Sequence, residues 1–369
     1  MSKVRHVLGI SGGKDSAALA IYMKQHYPEL DIEYYTSDTG KELQETYDLI
    51  DRLEVYLGKK IVRLQVIDEN NTEEPFDYFL KRYGGYLPSS TSRWCTLNLK
   101  LKPFEDFVGN DPVISYVGIR GDEDREGYIS KKTNIQSVFP FRKNIWSEDV
   151  VAKLLANNNI ANTLNLFDLV AIDSKSKRIQ EVLETPLSMA FTQSQKLNQL
   201  LNLDVKAFNR LVFAFLKSTS YPLATVDFFP PVEDDRVLVR DDIFKILEES
   251  GVGVPAYYKP VGFEIDGKKG AYSRSRSGCF FCFYQQKIEW IWLYEQHPED
   301  FEKAVEYEKD GYTWNEEESL LEMVQPERIA QIKADYIKRT ERAKSNIKSE
   351  YLLDILEDAE SEGCASCFI

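Results

Sequence analysis

Six consecutive residues, Ser11-Gly12-Gly13-Lys14-Asp15-Ser16, bring together the groups needed to hold a phosphate. Adjacent glycines let backbone N–H groups approach an anion closely. An apolar run precedes them and a run with helical spacing follows. The loop therefore opens a helix whose N-terminus carries partial positive charge. Ser11 and Ser16 add hydroxyl donors and Lys14 a point charge. Asp15 repels phosphate, which leaves it two roles: Mg²⁺ coordination, or holding the loop. The pattern is not a Walker A loop, which needs four residues between its first Gly and the Gly-Lys pair. A tight strand-to-helix turn with chance polar residues is the bland alternative.

Cys279 and Cys282 form a second constellation, at a spacing that thiolate metal sites use. The chain has five cysteines, and the others are Cys95, Cys364 and Cys367. An odd count argues against a disulfide framework. Thiols buried as small hydrophobes are the plain alternative. His6, His26 and His297 do not cluster, and no Gly-x-Ser-x-Gly is present. The aromatic run Phe280 to Tyr284, with Trp290 and Trp292, could stack bases; packing beneath the cysteine loop is the preferred reading.

These groups need elements to position them. Residues 4–10, 32–36, 61–67 and 113–119 read as strands, and 17–25 and 42–57 as helices with one apolar face. Such alternation implies an α/β, doubly wound parallel sheet, with ligands at the carboxyl ends of its strands. After residue 160 the alternation stops. Residues 175–218 look helical, 241–250 form a helix ended by Gly251, 260–278 read as a loop, and 288 to about 358 as charged helix. The expected organisation is a nucleotide-binding domain (1–160), a helical insertion (161–240), a return to the core with the C-x-x-C loop (241–290), and a charged helical extension with a cysteine-containing tail (291–369).

Composition sets outer bounds. With 369 residues, 43% hydrophobic and 29% charged, the chain can bury a core of normal size. No apolar run approaches the ~20 residues of a membrane helix. The N-terminus lacks the apolar stretch of a signal peptide, so a cytoplasmic location is expected. A net charge of −14 disfavours non-specific nucleic-acid binding. A nucleic-acid partner would need a local basic surface, for which Arg274-Ser275-Arg276 and Lys131-Lys132 are the candidates; both could equally be solvated loops.

Ser11 to Ser16 resembles the PP-loop of the ATP pyrophosphatase superfamily, and the wider sequence resembles its phosphoadenosine-phosphosulfate reductase branch. Asp38-Thr39-Gly40 with Glu45-Thr46 resembles that branch's D-T-G-x-x-x-x-E-T segment. Arg93-Trp94-Cys95 with Lys100 (or Lys102) and Pro103 resembles its arginine-cysteine-lysine-proline segment. Gly118-Ile119-Arg120 with Glu123 and Arg125 resembles its G-x-R-x-x-E segment, and Gly278-Cys279 with Cys282 its late G-C-x-x-C. The resemblance covers residues 4 to about 150 and 240 to 285. Trp146 with Asp149-Val150 matches half of a further segment, and Asp242-Ile243 with Val254 to Tyr258 the other half, which implies a helical insertion between them.

The resemblance implies a Rossmann-like fold that binds ATP with Mg²⁺. Ser11, Gly12, Gly13, Lys14, Asp15 and Ser16 would hold the pyrophosphate part, with Gly118 beside it. Asp38 and Thr39 would line the nucleoside pocket. Lys14, Asp15, Arg120 and Arg125 would serve catalysis, the two arginines facing the anionic substrate. Cys95, Cys279 and Cys282 would bind a 4Fe–4S cluster or Zn²⁺, with Cys364 or Cys367 as a further ligand, or no metal at all. The loop keeps the Lys14-Asp15-Ser16 end that ATP-splitting members retain. The tail lacks the Glu-Cys-Gly-x-His of sulfonucleotide reductases. The activity so implied is adenylation of a substrate, ATP going to AMP and pyrophosphate, for sulfur transfer in nucleic-acid modification. DNA or RNA would be the acceptor and a cysteine desulfurase the sulfur donor. A sulfonucleotide reductase, an ATP sulfurylase-like enzyme, and a non-catalytic nucleotide-sensing or scaffold subunit are the alternatives.

Overall fold

A computed structural model describes residues 3–66, 73–123, 130, 132–170, 176–309 and 311–345. Five parallel strands, β1 (Arg5–Gly9), β2 (Ile32–Ser37), β3 (Ile61–Leu64), β4 (Val113–Tyr116) and β5 (Ile135–Val138), lie in the order β3-β2-β1-β4-β5. The order reverses between β1 and β4, so a crevice opens beyond their carboxyl ends. Alternate residues feed two apolar layers. Leu8, Tyr34 and Ile114 face one side, and Val7, Tyr35 and Val113 the other. The fold is the expected α/β, Rossmann-like sheet.

On the first side lie α1 (Lys14–His26) and α2 (Gln44–Leu57). Sequence periodicity gives α1 one apolar face, yet every residue from Lys14 to Met23 is buried. The cause is packing on all sides, by the sheet, α2 and a later helix. Downstream come α3 (Pro75–Arg82), then α4 (Trp94–Thr96) and α5 (Lys102–Val108), joined by the π-helical stretch Leu97–Leu101. Phe104 and Val108 of α5 cover the second side of the sheet.

The region after the sheet is helical: α6 (Glu148–Leu155), α7 (Ile160–Val170), α8 (Ser176–Glu184), α9 (Gln193–Leu203) and α10 (Val205–Leu216). Phe167, Leu200, Phe208 and Leu211 join the apolar cluster that contains Leu8 and Ile114. Polar ties supplement this packing. Trp146 Nε1 donates to Asn209 Oδ1 at 2.9 Å. Asp234 accepts from the hydroxyls of Tyr22 and Tyr27 on and just after α1, and from the Arg236 guanidinium at 2.8 and 2.9 Å. Next comes α11 (Arg240–Glu249), which packs on α1.

Three expectations need correction. Residues 260–278 are not all loop, because β6 (Val261–Ile265) and β7 (Lys268–Tyr272) form an antiparallel hairpin. Its Asp266-Gly267 turn, with φ of 51° and 74°, is a hairpin signal that the sequence does carry. The strands read as 61–67 and 113–119 stop at Leu64 and Tyr116, because the chain leaves the ladder to build the crevice. The C-terminal helix is broken into α12 (Lys287–Gln296), α13 (Pro298–Tyr307), α14 (Leu320–Met323) and α15 (Pro326–Ser345). Here Phe280, Phe281, Trp290 and Trp292 are core, as the preferred reading has it, in a second cluster with Phe76, Trp94 and Tyr257. No helix among the described residues is long and apolar enough to cross a membrane.

Burial alone would raise the carboxyl pKa of Asp234, but hydrogen bonds from Arg236, Tyr22 and Tyr27 more than offset it and hold the group well below the usual range. A depressed folded-state pKa gives stability that is present above the unfolded value, about 4, and lost as pH falls below it. Asp234→Asn is therefore expected to lower the free energy of unfolding in urea at pH 7 by about 1–3 kcal/mol. The gap to wild type should narrow progressively below pH 4. A gap independent of pH would show that the charge is not what matters.

Candidate active site

The loop after β1 enters the crevice and turns directly into α1. Gly12 has φ of 73°, a conformation that suits glycine, and a Cβ there would stand 2.2 Å from Thr46 Cγ2. Ser16 Oγ donates to Gly13 O at 3.2 Å and accepts from Ser11 N at 3.1 Å. No side chain caps α1 at Gly13. The positive end of the helix thus opens on the crevice.

Asp15 organises the cations. Its Oδ1 accepts from Arg120 Nη1 at 2.9 Å and its Oδ2 stands 3.3 Å from Lys14 Nζ. Both partners and Asp15 itself have largely buried side chains. Arg120 comes from the segment after β4 and is gripped further by Asp122 and Glu123, each at 2.9 Å. Burial lowers the Lys14 pKa, and Arg120 adds to that effect; Asp15 opposes both. Both Asp15 carboxylate oxygens face cations. Gly118 allows this geometry, because a Cβ at that position would lie 2.9 Å from the Asp15 carbonyl oxygen.

The sequence did not show the back wall of the loop. Tyr257 OH donates to Gly12 O at 2.7 Å, and Lys14 N donates to Tyr258 OH at 3.4 Å. Lys14 Nζ stands 4.8 Å above the Tyr258 ring. Ser277 Oγ donates to Ser11 O at 3.2 Å. These residues follow the helical region, and only the aromatic character of residues 254–258 hinted at them.

On the β2 side a pocket is lined by Ser11, Thr36, Asp38, Glu42, Lys100 and Gly278. Asp38 accepts from Tyr47 OH at 3.0 Å and Gln65 Nε2 at 2.9 Å. Thr39 is buried and lies behind this pocket, with its hydroxyl donating to Glu42 Oε1 at 2.7 Å and standing 3.2 Å from Cys279 Sγ. Burial raises the Glu42 pKa. Between the two candidate lysines, it is Lys100 that reaches the pocket, while Lys102 begins α5.

Cys95, Cys279 and Cys282 share one neighbourhood beyond Thr39. Burial pushes the Cys95 thiol up to about 11, with Cys282 adding to it, and pushes Cys279 higher still. Lys100 acts on both in the opposite sense. Among the described residues no three His, Cys, Asp or Glu side chains gather closely enough to hold a metal ion. Arg125, Cys364, Cys367 and Lys131 lie outside the described residues. Arg274 is buried, with Nη2 donating to Cys279 O at 3.1 Å, so it adds no basic surface. Lys132 stands 3.4 Å from Glu105 in an ion pair.

Comparison with known proteins agrees with this geometry. The phosphoadenosine phosphosulfate reductase domain matches residues 5–168. An uncharacterized protein of Methanocaldococcus jannaschii is 33% identical over 147 residues, 36% of this chain and 28% of that protein. The adenosine 5'-phosphosulfate reductase of Staphylococcus haemolyticus is 29% identical over 150 residues, 39% of this chain and 58% of the reductase. The match spans less than two thirds of either relative. The sheet order, the loop at its switch point and the matched segment agree: over residues 5–168 the chain is similar to the phosphoadenosine phosphosulfate reductase domain.

Proposed function

We propose that the protein is a PP-loop ATP pyrophosphatase that adenylates a substrate for sulfur transfer. One observation carries the reading. Asp15 holds Lys14 and Arg120 together at the start of α1, beside a pocket on the β2 side. That arrangement suits a nucleoside in the pocket and its phosphates over the helix end. A substrate oxygen attacks the α-phosphorus. The bond from that phosphorus to the α–β bridging oxygen breaks, and pyrophosphate leaves with the electron pair. Lys14, Arg120 and the α1 amides meet the charge that develops on the leaving group. A sulfur nucleophile then attacks the carbon bearing the adenylated oxygen, and AMP departs. Magnesium enters with ATP as part of the substrate. The acceptor in this reading is a nucleic acid, and the sulfur comes from a donor protein such as a cysteine desulfurase.

A second reading is reduction of a sulfonucleotide, favoured by the likeness to the Staphylococcus haemolyticus reductase. Titration calorimetry with ATP and phosphoadenosine phosphosulfate separates the two. ATP is expected to bind more tightly, and tighter binding of the phosphosulfate would replace the first reading with the second. Lys14→Ala and Arg120→Ala should each weaken ATP binding about 10- to 100-fold, as loss of a charged hydrogen bond does. Turnover to ADP instead of AMP would rule out α–β cleavage.

Gly118→Ala tests the close packing separately. The added methyl meets backbone of α1 rather than a movable side chain. ATP affinity should fall at least tenfold, with the circular dichroism spectrum unchanged. Wild-type affinity in this variant would show that the α1 start can shift without consequence.

A further inference from the structure

A third cation, Arg240, stands close enough to Lys14 to act on it electrostatically. Arg240 is the first residue of α11 and is exposed. Its backbone N donates to Asp122 Oδ2 at 3.4 Å, while Asp122 Oδ1 accepts from Arg120 Nε at 2.9 Å. One carboxylate thus sets the start of α11 beside the Arg120 guanidinium. The segment leading into α11 is fixed as well. Gly121 N donates to Leu238 O at 2.9 Å, and Leu238 N donates to Phe141 O at 3.0 Å. Gly121 has no room for a side chain, since a Cβ would lie 2.2 Å from Val237 Cγ1.

An aromatic pair links this arginine to the loop. The Arg240 guanidinium lies 5.8 Å from the Phe244 ring, Phe244 meets Tyr258 edge-on at 6.4 Å, and Lys14 Nζ stands over Tyr258. Arg240 and Lys14 act on each other electrostatically. Yet among the described residues the Arg240 guanidinium has no carboxylate partner, whereas Lys14 and Arg120 both have one.

The sheet order supplies a direction. The nucleoside-side pocket lies by β2, the loop follows β1 at the centre, and Arg120 follows β4. Arg240 is set against the segment after β4 by its backbone bond to Asp122. A polyphosphate laid from the pocket across the start of α1 would run toward Arg120 and Arg240. We infer that Arg240, delivered by the chain as it returns from the helical region, binds the terminal phosphate of the nucleotide. This rests on the ATP reading above. It adds that the inserted region takes part in selecting a triphosphate over a shorter ligand.

The test is calorimetric titration of the full chain with ATP and with AMP, for wild type, Arg240→Gln and Arg240→Lys. The expected result is a loss of about 10- to 100-fold in ATP affinity for Arg240→Gln, partial recovery for Arg240→Lys, and AMP affinity within about twofold of wild type throughout. Unchanged ATP affinity in Arg240→Gln overturns the inference. So does an equal loss for ATP and AMP, because that marks a structural role. A wild-type protein that binds AMP but not ATP overturns the underlying reading instead, and the two failures are distinguishable.

Discussion

Positive charge accumulates at the start of α1, and Asp15 is what makes that tolerable. A helix N-terminus, a lysine and an arginine meet in largely buried surroundings. Two unit charges about 4 Å apart repel by about 4 kcal/mol at an effective dielectric of about 20. Asp15 lies between the cations, touches both, and sits in the first turn, where a negative charge also favours the helix. The residue that looks out of place in a phosphate loop is therefore the one that lets the cations sit side by side. Gly118 follows from the same need, since Arg120 reaches Asp15 only if the strand end passes close to α1.

The site is assembled from distant parts of the chain. Residues 11–16 and 118–123 belong to the parallel-sheet unit, whereas Tyr257, Tyr258 and Ser277 reach it from beyond the helical region. Behind them lies an aromatic core in which Phe281 packs against Phe76 at 4.5 Å and stacks on Trp314 at 4.8 Å. That core fixes the C-x-x-C loop, and an isolated bridge ties Cys279 to Glu42. The pocket side and the thiol side thus share a wall, with the Thr39 hydroxyl between Glu42 and Cys279.

Much of this architecture is legible in the amino-acid sequence. The loop, the parallel sheet and the place of Arg120 can be read because local signals carry them: glycines at a strand-to-helix junction, helical and strand periods, and short motifs. What stays hidden depends on contacts between residues far apart in the chain. The hydrogen bond from Tyr257 to Gly12 joins positions 245 apart, and nothing local in either residue announces it. The strand β5 escapes a periodic reading because its central residues, Gln136 and Ser137, are polar yet buried, with Gln136 Oε1 accepting from Leu223 N in the inserted region. Asp15's tether is only half legible. Its charge is visible, but its arginine partner lies 105 positions away.

Tyr258 has a consequence for selectivity. Its hydroxyl accepts the Lys14 amide proton, so the protein already offers that donor a neutral oxygen of its own. A bound phosphate that takes over this amide gains only the difference between a charged acceptor and a phenol. A weakly charged or neutral molecule gains almost nothing at that point. The phenol would thus set a threshold, favouring a ligand whose charge exceeds what the protein supplies for itself.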